Sequence, residues 1–151
     1  MKLIQLLEAH EDEILAEATL SLARAHLKHY GPEDIQENER RLQRLYELVV
    51  KSIKNRELGA IVDYARRLAQ ERFAAGYDLH EVQVAFNVLE EAIWRRIVQE
   101  IAPSELAEAL GLVSTVHGVA KDVLATTYVT LASKTKASSL DLLTLFEGMD
   151  D

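Results

Sequence analysis

Histidine is the residue type in this sequence best suited to hold a metal ion or a haem, and the chain contains five of them. A helical di-iron site needs a Glu three residues before a His, so that both ligands project from one helix face. Leu, Ala, His, Tyr and Ser stand at that position before the five histidines. This spacing argues against a ferritin-like metal site.

Two of the histidines, His26 and His29, are spaced to share one face of a helix. A surface metal could bridge them, but two ligands alone make a weak site. The favoured interpretation is a pair of solvated polar residues near a helix end, where a cationic side chain also suits the helix dipole.

His10 and His117 each replace an apolar residue within a helical stripe of apolar residues. A histidine buried in this way needs a hydrogen-bond partner. We predict that both are core or interface residues and that the protein binds no cofactor and no structural metal. If haem is bound, His10 and His117 are the first candidates for axial ligands.

The remaining polar residues carry no enzyme signature. The chain has no Cys, and no phosphate loop, dinucleotide fingerprint or nucleophile elbow occurs. Acidic runs such as Glu11 to Glu13 and basic pairs such as Arg95-Arg96 are typical of solvated helix faces. A formal net charge of -8 argues against nucleic-acid binding. No apolar run is long enough to span a bilayer, so we expect no membrane partner and a cytoplasmic location.

The elements that must position these residues are helices. Only two Pro and six Gly punctuate the chain, and apolar residues recur at three- and four-residue steps. We predict an all-α bundle of about five main helices, with breaks near Gly31, Asn55, Gly76 and Pro103, plus a short C-terminal helix. The predicted helices run from about Leu3 to Tyr30, Pro32 to Lys54, Arg56 to Ala75, Leu79 to Ala102, Leu106 to Leu131 and Ser138 to Phe146.

The fifth main helix carries more apolar surface than one amphipathic stripe needs. Its stripe from Leu106 to Leu131 keeps a nearly strict heptad period, which suits helix pairing. Gly111 and Gly118 lie beside it, where small residues permit close approach of another helix. We predict a homodimer with this helix or the first helix at the seam, and candidate seam residues Gly111, His117, Gly118 and Leu124. The alternative is close packing within one chain.

The segment from Arg72 to Val82, with Gly76, an aromatic Tyr77 and a capping residue Asp78, opens a helix that contains Leu89. This segment resembles the N-terminal sensor domain of RsbR-type proteins, the RsbT co-antagonists of bacterial stressosomes. Similar domains precede some histidine kinases. The resemblance implies a globin-like helical fold without haem, a homodimer and control of an output domain. It implies no catalytic residues.

Our leading hypothesis is therefore one helical sensory or regulatory domain over residues 1–151. It is expected to be non-enzymatic and to act as a dimer on an output domain or a partner protein in bacterial signalling. Two alternatives stay open. One is a small-ligand carrier, such as a globin that binds haem or another tetrapyrrole. The other is an enzyme whose site no linear motif reveals.

Overall fold

The computed structural model describes the backbone of residues 1–139 and the side chains of residues 1–135. This part of the chain is all-α, as predicted, and contains no strand. Six α-helices and one short 3-10 turn at Pro32–Asp34 follow one another along it. The helices are α1 (Leu3–Ala9), α2 (Glu11–Arg24), α3 (Ile35–Asn55), α4 (Gly59–Ala74), α5 (Leu79–Glu100) and α6 (Pro103–Ser139).

The first predicted helix is two helices, and it ends earlier than predicted. His10 interrupts it with φ -113° and ψ 18°, and serves both as the C-cap of α1 and as the N-cap of α2. The acidic run Glu11–Glu13 forms the first turn of α2, where negative charge stabilises a helix N-terminus. At the other end, α2 stops at Arg24, because His26 adopts the left-handed conformation with φ 51°.

The other predicted breaks are confirmed. Asn55 is the last residue of α3, and Arg56 follows it in the left-handed conformation, so α4 begins only at Gly59. Gly76 separates α4 from α5 with φ +85°, a value that glycine adopts without the steric cost of a Cβ. Pro103 is the first residue of α6, a position where its missing N–H has no helical partner to lose.

The helices bury one continuous apolar core. Within it, α6 packs against α4 and α5, and α2 packs against α5 and α3. The apolar stripe of α5 is buried at Val82, Phe86, Leu89, Ile93 and Ile97. Burial of such side chains stabilises each by about 1.5–3 kcal/mol relative to an exposed position.

Helix α6 is longer than predicted. It runs unbroken to Ser139, so Ser138 and Ser139 belong to it and do not cap a separate helix. The remainder of the predicted C-terminal helix lies outside the described residues. Among the described residues, no helix is both long enough and apolar enough to cross a membrane.

Candidate functional site

A cluster of buried and half-buried aromatic and basic side chains lies where the segment before Gly31 meets α3, α4 and the start of α5. The ring of Tyr77 lies at its centre and makes an edge-on contact with Tyr30, with ring centroids 5.4 Å apart. The guanidinium carbons of Arg41 and Arg72 lie 5.8 and 5.1 Å from the centroid of the Tyr77 ring. Distances of this size allow cation–π attraction between each arginine and the ring.

The turn between α4 and α5 places Tyr77 in this cluster. The Tyr77 N–H donates to the carbonyl of Arg72 at 2.9 Å, and the Gly76 N–H donates to the carbonyl of Phe73 at 3.1 Å. These two bonds and the left-handed Gly76 form a Schellman motif, which ends α4 and turns the chain back over its own last turn. The Arg72-to-Val82 segment therefore builds the cluster through local helix-capping chemistry.

His29 belongs to this cluster and not to a helix surface. The interpretation of His26 and His29 as two residues on one helix face is wrong, because α2 ends at Arg24. Both the backbone N–H and the Nδ1 of His29 lie 2.8 Å from the carboxylate of Glu81. The imidazole stacks on the Tyr77 ring, with centroids 4.3 Å apart. One carboxylate thus ties the segment after α2 to the start of α5.

Glu81 also forms a capping box with Asp78 at the start of α5. Its carboxylate accepts the backbone N–H of Asp78 at 3.0 Å, as the Asp78-to-Glu81 spacing predicts. Burial raises the pKa of Glu81, but the hydrogen bonds from the His29 side chain and from the backbone N–H groups of His29 and Asp78 outweigh it. The net effect is a pKa below the ordinary value, so the buried carboxylate is held in its charged form.

The cluster is connected to α6. The Tyr128 hydroxyl donates to the backbone carbonyl of Tyr77 at 3.1 Å. The Tyr128 ring packs edge-on against Phe73 of α4, with centroids 5.6 Å apart. Tyr128 is itself buried, so the long helix is anchored to the cluster at this residue.

A small cavity of about 20 Å³ lies beside the cluster, on the side of Tyr30. Four of its lining side chains carry polar groups, and all four are hydrogen-bond donors. The apolar remainder comes from α2, α3, α4 and α5. The lining residues are Leu22, Tyr30, Arg41, Leu42, Leu45, Tyr64, Leu68, Arg72, Ala85 and Phe86.

The two histidines considered as haem ligands have different surroundings. His10 lies at the junction of α1 and α2, and its Nδ1 is 2.7 Å from the carboxylate of Glu13. His117 is fully buried in the core, with Nδ1 3.2 Å from the carbonyl of Val113 and with Nε2 unpaired among the described residues. Within the described residues, no group of three or more His, Asp or Glu side chains is placed to hold a metal ion.

The four candidate seam residues do not share one surface of α6. Gly111 and Gly118 are exposed, and a Cβ added to either would meet no atom within 4 Å. His117 and Leu124 are fully buried in the core of this chain. The two glycines therefore lie on a second face of α6, which turns away from the core.

This second face consists mainly of small, uncharged residues at helical spacing, with exposed Asp122 as a charged residue between Gly118 and Ala125. We call it the outer face of α6: Ala107, Gly111, Ser114, Gly118, Ala125 and Val129. Val129 is 62% exposed, so an apolar side chain stands in solvent at its far end.

Two exposed apolar residues of α5 flank the outer face. Lys121 of α6 donates to Asn87 and Glu90 of α5, both at 3.1 Å, which sets the antiparallel register of these helices. Two turns further along α5 lies Trp94, and two turns back along α6 lies Ser114, so these two residues lie at the same level. Trp94 is 41% exposed, and Val98 on the next turn is 62% exposed.

The fold and the cluster define a class of protein: a helical bundle with a polar and aromatic cluster, and with an outer helix face that residues 1–135 leave uncovered. The family model described as "RsbT co-antagonist protein rsbRD N-terminal domain" matches residues 12–133. The chain belongs to this family of signalling and regulatory domains, which confirms the resemblance in the Arg72-to-Val82 segment. No curated protein and no solved structure matches the chain.

Sequence reasoning missed the partners of His29 and Arg41. The spacing of Asp78 and Glu81 indicates that Glu81 caps α5. No local pattern indicates that the Glu81 carboxylate also binds His29, which lies 52 residues earlier in the sequence. Likewise, Arg41 donates to the Tyr77 hydroxyl at 3.1 Å across 36 residues of sequence. The helical spacing of Arg40-Arg41 does not tell which of the two points inward.

Proposed function

We propose that this chain is a non-enzymatic sensory or regulatory module of bacterial signal transduction, and that residues 1–151 act as one cytoplasmic domain. It works as a homodimer and passes its state to an output domain or a partner protein. Membership of the RsbT co-antagonist family supports the signalling role. The dimer and the output partner rest on the physical argument that follows.

The observation that carries the proposal is the outer face of α6. A helix on the surface of a monomer normally presents charged residues to water. Apart from Asp122, the outer face instead presents small or uncharged residues: Ala107, Gly111, Ser114, Gly118, Ala125 and Val129. The exposed side chains of Trp94 and Val98 of α5 extend this surface. Cores of protein interfaces are depleted in charge and enriched in aromatic residues, and a two-fold axis uses one such patch twice.

The two glycines of the outer face, Gly111 and Gly118, are easier to explain in a dimer than in a monomer. A glycine inside a helix costs about 1 kcal/mol relative to alanine, through the greater freedom of the unfolded backbone. At Gly111 and Gly118, that cost is not offset by crowding within the chain, since an added Cβ would lie in open space. A partner helix packed closely against Gly111 and Gly118 would explain why glycine occupies these positions.

Helix α6 also has a geometry suited to signal transmission. Its last buried side chain among the described residues is Tyr128, and the helix continues to Ser139. At a rise of 1.5 Å per residue, this extension projects about 16 Å beyond the core. A shift between two such helices in a dimer would be passed to whatever is attached to or bound at their ends.

The proposal is tested by measuring molar mass with light scattering over a range of protein concentrations. The wild-type protein is expected to be a dimer, and Gly118→Leu is expected to be a folded monomer because the leucine fits the free chain but not the seam. Gly118→Ala should keep at least part of the dimer, since its side chain is small.

Thr130→Leu is the matched control, because it adds a leucine at an exposed position of α6 about 120° around the helix from Gly118. It should leave the dimer unchanged. A wild-type protein that stays monomeric at high concentration would contradict the dimer. So would a Gly118→Leu variant that dimerises as strongly as the control.

A further inference from the structure

We propose that the cavity beside Tyr30 is a binding site for a monovalent inorganic anion of about the size of chloride. The site is formed by the guanidinium groups of Arg41 and Arg72 and by the hydroxyl groups of Tyr30 and Tyr64. The proposal goes beyond the signalling function and does not depend on it.

The first argument is the balance of donors and acceptors. Of the polar side chains that line the cavity, Arg41 and Arg72 can only donate hydrogen bonds. The Tyr30 oxygen already accepts a bond from Arg72 Nε at 3.2 Å, which leaves the hydroxyl hydrogen of Tyr30 free to donate. Among the described residues, no Asp or Glu lines the cavity. A site that offers four donor groups, two of them cationic, and no carboxylate is complementary to an anion.

The second argument is charge. Both arginines approach the Tyr77 ring, the Arg41 guanidinium also lies 5.1 Å from the centroid of the Tyr30 ring, and Arg72 donates to the Tyr30 hydroxyl. Two fixed positive charges this close repel each other where water is scarce. The carboxylates that accompany them, Glu37 and Glu71, are 45% and 70% exposed and so lie on the solvent side. An anion in the cavity would offset the repulsion between Arg41 and Arg72 on the side that faces the core.

The third argument is an unsatisfied donor. Arg41 Nε is buried and has no hydrogen-bond partner among the described residues. The nearest carboxylate oxygen, on Glu37, is 3.7 Å away, which is beyond hydrogen-bond distance. A buried donor left without a partner destabilises the folded state. The other guanidinium nitrogens of Arg41 are engaged by Asn38 and Tyr77, so they hold the group in position.

The tyrosines stay neutral and therefore remain donors. Burial raises the pKa of Tyr64 to about 12. Burial also raises the pKa of Tyr30, against the opposing effect of Arg72 and Arg41. The size of the cavity sets the class of ligand, because about 20 Å³ accommodates one water-sized species. Chloride and bromide satisfy this limit, whereas sulfate and gluconate are too large.

The first experiment measures the melting temperature of the purified protein in sodium gluconate, with chloride replacing gluconate at constant ionic strength. A ligand that binds the folded state raises stability with the logarithm of its concentration. We expect the melting temperature to rise by about 5 °C once chloride exceeds its dissociation constant about 100-fold. Sodium sulfate raises the stability of folded proteins by exclusion from their surface, so its effect should be the same in wild type and in Arg41→Gln.

Arg41→Gln should abolish the chloride-dependent rise, because it removes the charge and the unpaired donor. Arg40→Gln is the matched control: it removes the same charge from the adjacent residue of α3, whose side chain is 74% exposed. It should preserve the rise. Tyr64→Phe removes only a hydroxyl and keeps the ring, so it should weaken chloride binding several-fold even if Arg41→Gln does not fold.

A crystal grown in sodium bromide provides the direct readout. Anomalous scattering from bromide between the Arg41 and Arg72 side chains would support the site. A cavity that holds only water would overturn it, as would a melting temperature that responds equally to chloride and gluconate. An equal chloride response in Arg41→Gln and Arg40→Gln would also overturn it.

Discussion

Among single residues, Glu81 connects two parts of the fold. Its carboxylate binds His29, in the segment after α2, and caps the start of α5. Its pKa is lowered in the folded state, so the unfolded state binds more protons between the two pKa values. The stabilisation from Glu81 is therefore present above the unfolded pKa and is lost as pH falls through the folded one.

Glu81→Gln should lower the free energy of unfolding at pH 7 by about 2 kcal/mol, since it removes charge-assisted hydrogen bonds in a buried place. The variant should also lose less stability than wild type between pH 5 and pH 3. Urea unfolding at several pH values measures both effects. Glu39→Gln, at an exposed position of α3, should behave like wild type. A Glu81→Gln variant with the acid sensitivity of wild type would contradict this assignment.

His117 differs from Glu81 because one of its polar atoms, Nε2, is buried without a hydrogen-bond partner among the described residues. Burial lowers the pKa of His117, Lys121 adds to this effect, and Glu90 and the Val113 carbonyl oppose it. The unfolded state thus takes up a proton at higher pH than the folded state. Stability must fall as pH drops below the ordinary value of about 6.5.

His117→Leu should remove this loss of stability below pH 6.5 and should raise stability at pH 7 by up to about 1 kcal/mol, since it replaces an unsatisfied buried nitrogen. The free energy of unfolding at pH 7.5 and pH 5.5 checks the change in slope. His80→Leu provides the comparison, because His80 is exposed at the start of α5. If the two variants show the same pH dependence, His117 is not the group responsible.

Among the elements, α6 combines two apolar faces on one helix. The core face carries Val113, His117, Ala120, Leu124 and Tyr128, all buried. The outer face lies roughly a third of a turn or more away around the helix. The chain covers the first face with α4 and α5, whereas the described residues leave the second face exposed.

A single cysteine can report on this partner, since the chain has no Cys of its own. If the outer faces of two α6 helices meet, mild oxidation of Val129→Cys should give a disulfide-linked dimer, which non-reducing electrophoresis detects. Thr130→Cys is the control, because Thr130 is also exposed and lies at the same level, but points about 100° away. Equal cross-linking of the two variants would indicate random collision and not a defined seam.

At the scale of the whole molecule, a dimer makes stability depend on protein concentration. Mass action stabilises an assembled state as concentration rises. The melting temperature of the wild-type protein should therefore increase over a hundredfold range of concentration. Gly118→Leu should melt at a temperature independent of concentration. If both the melting temperature and the molar mass of the wild-type protein stay constant over this range of concentration, the homodimer through the outer face is contradicted.

The sequence predicted the all-α class, the breaks at Asn55, Gly76 and Pro103 and the cap at Asp78, because each depends on residues within a few positions of one another. Helical hydrogen bonds join residues four apart, and stop residues act on the adjacent turn. The split at His10 was missed for a related reason: its apolar spacing continues through the break, and the acidic first turn of α2 looks like a solvated face. The globin-like description of the bundle stays a prediction.

Tertiary structure alone decided which residues meet. His29 reaches Glu81 and Arg41 reaches Tyr77 only because α2, α3 and α5 pack together, and no local pattern specifies those distances. The same packing separates His117, which is buried, from its neighbour Gly118, which is exposed. Helical periodicity shows that two faces exist, but which of them the chain covers with its own helices depends on the arrangement of all six.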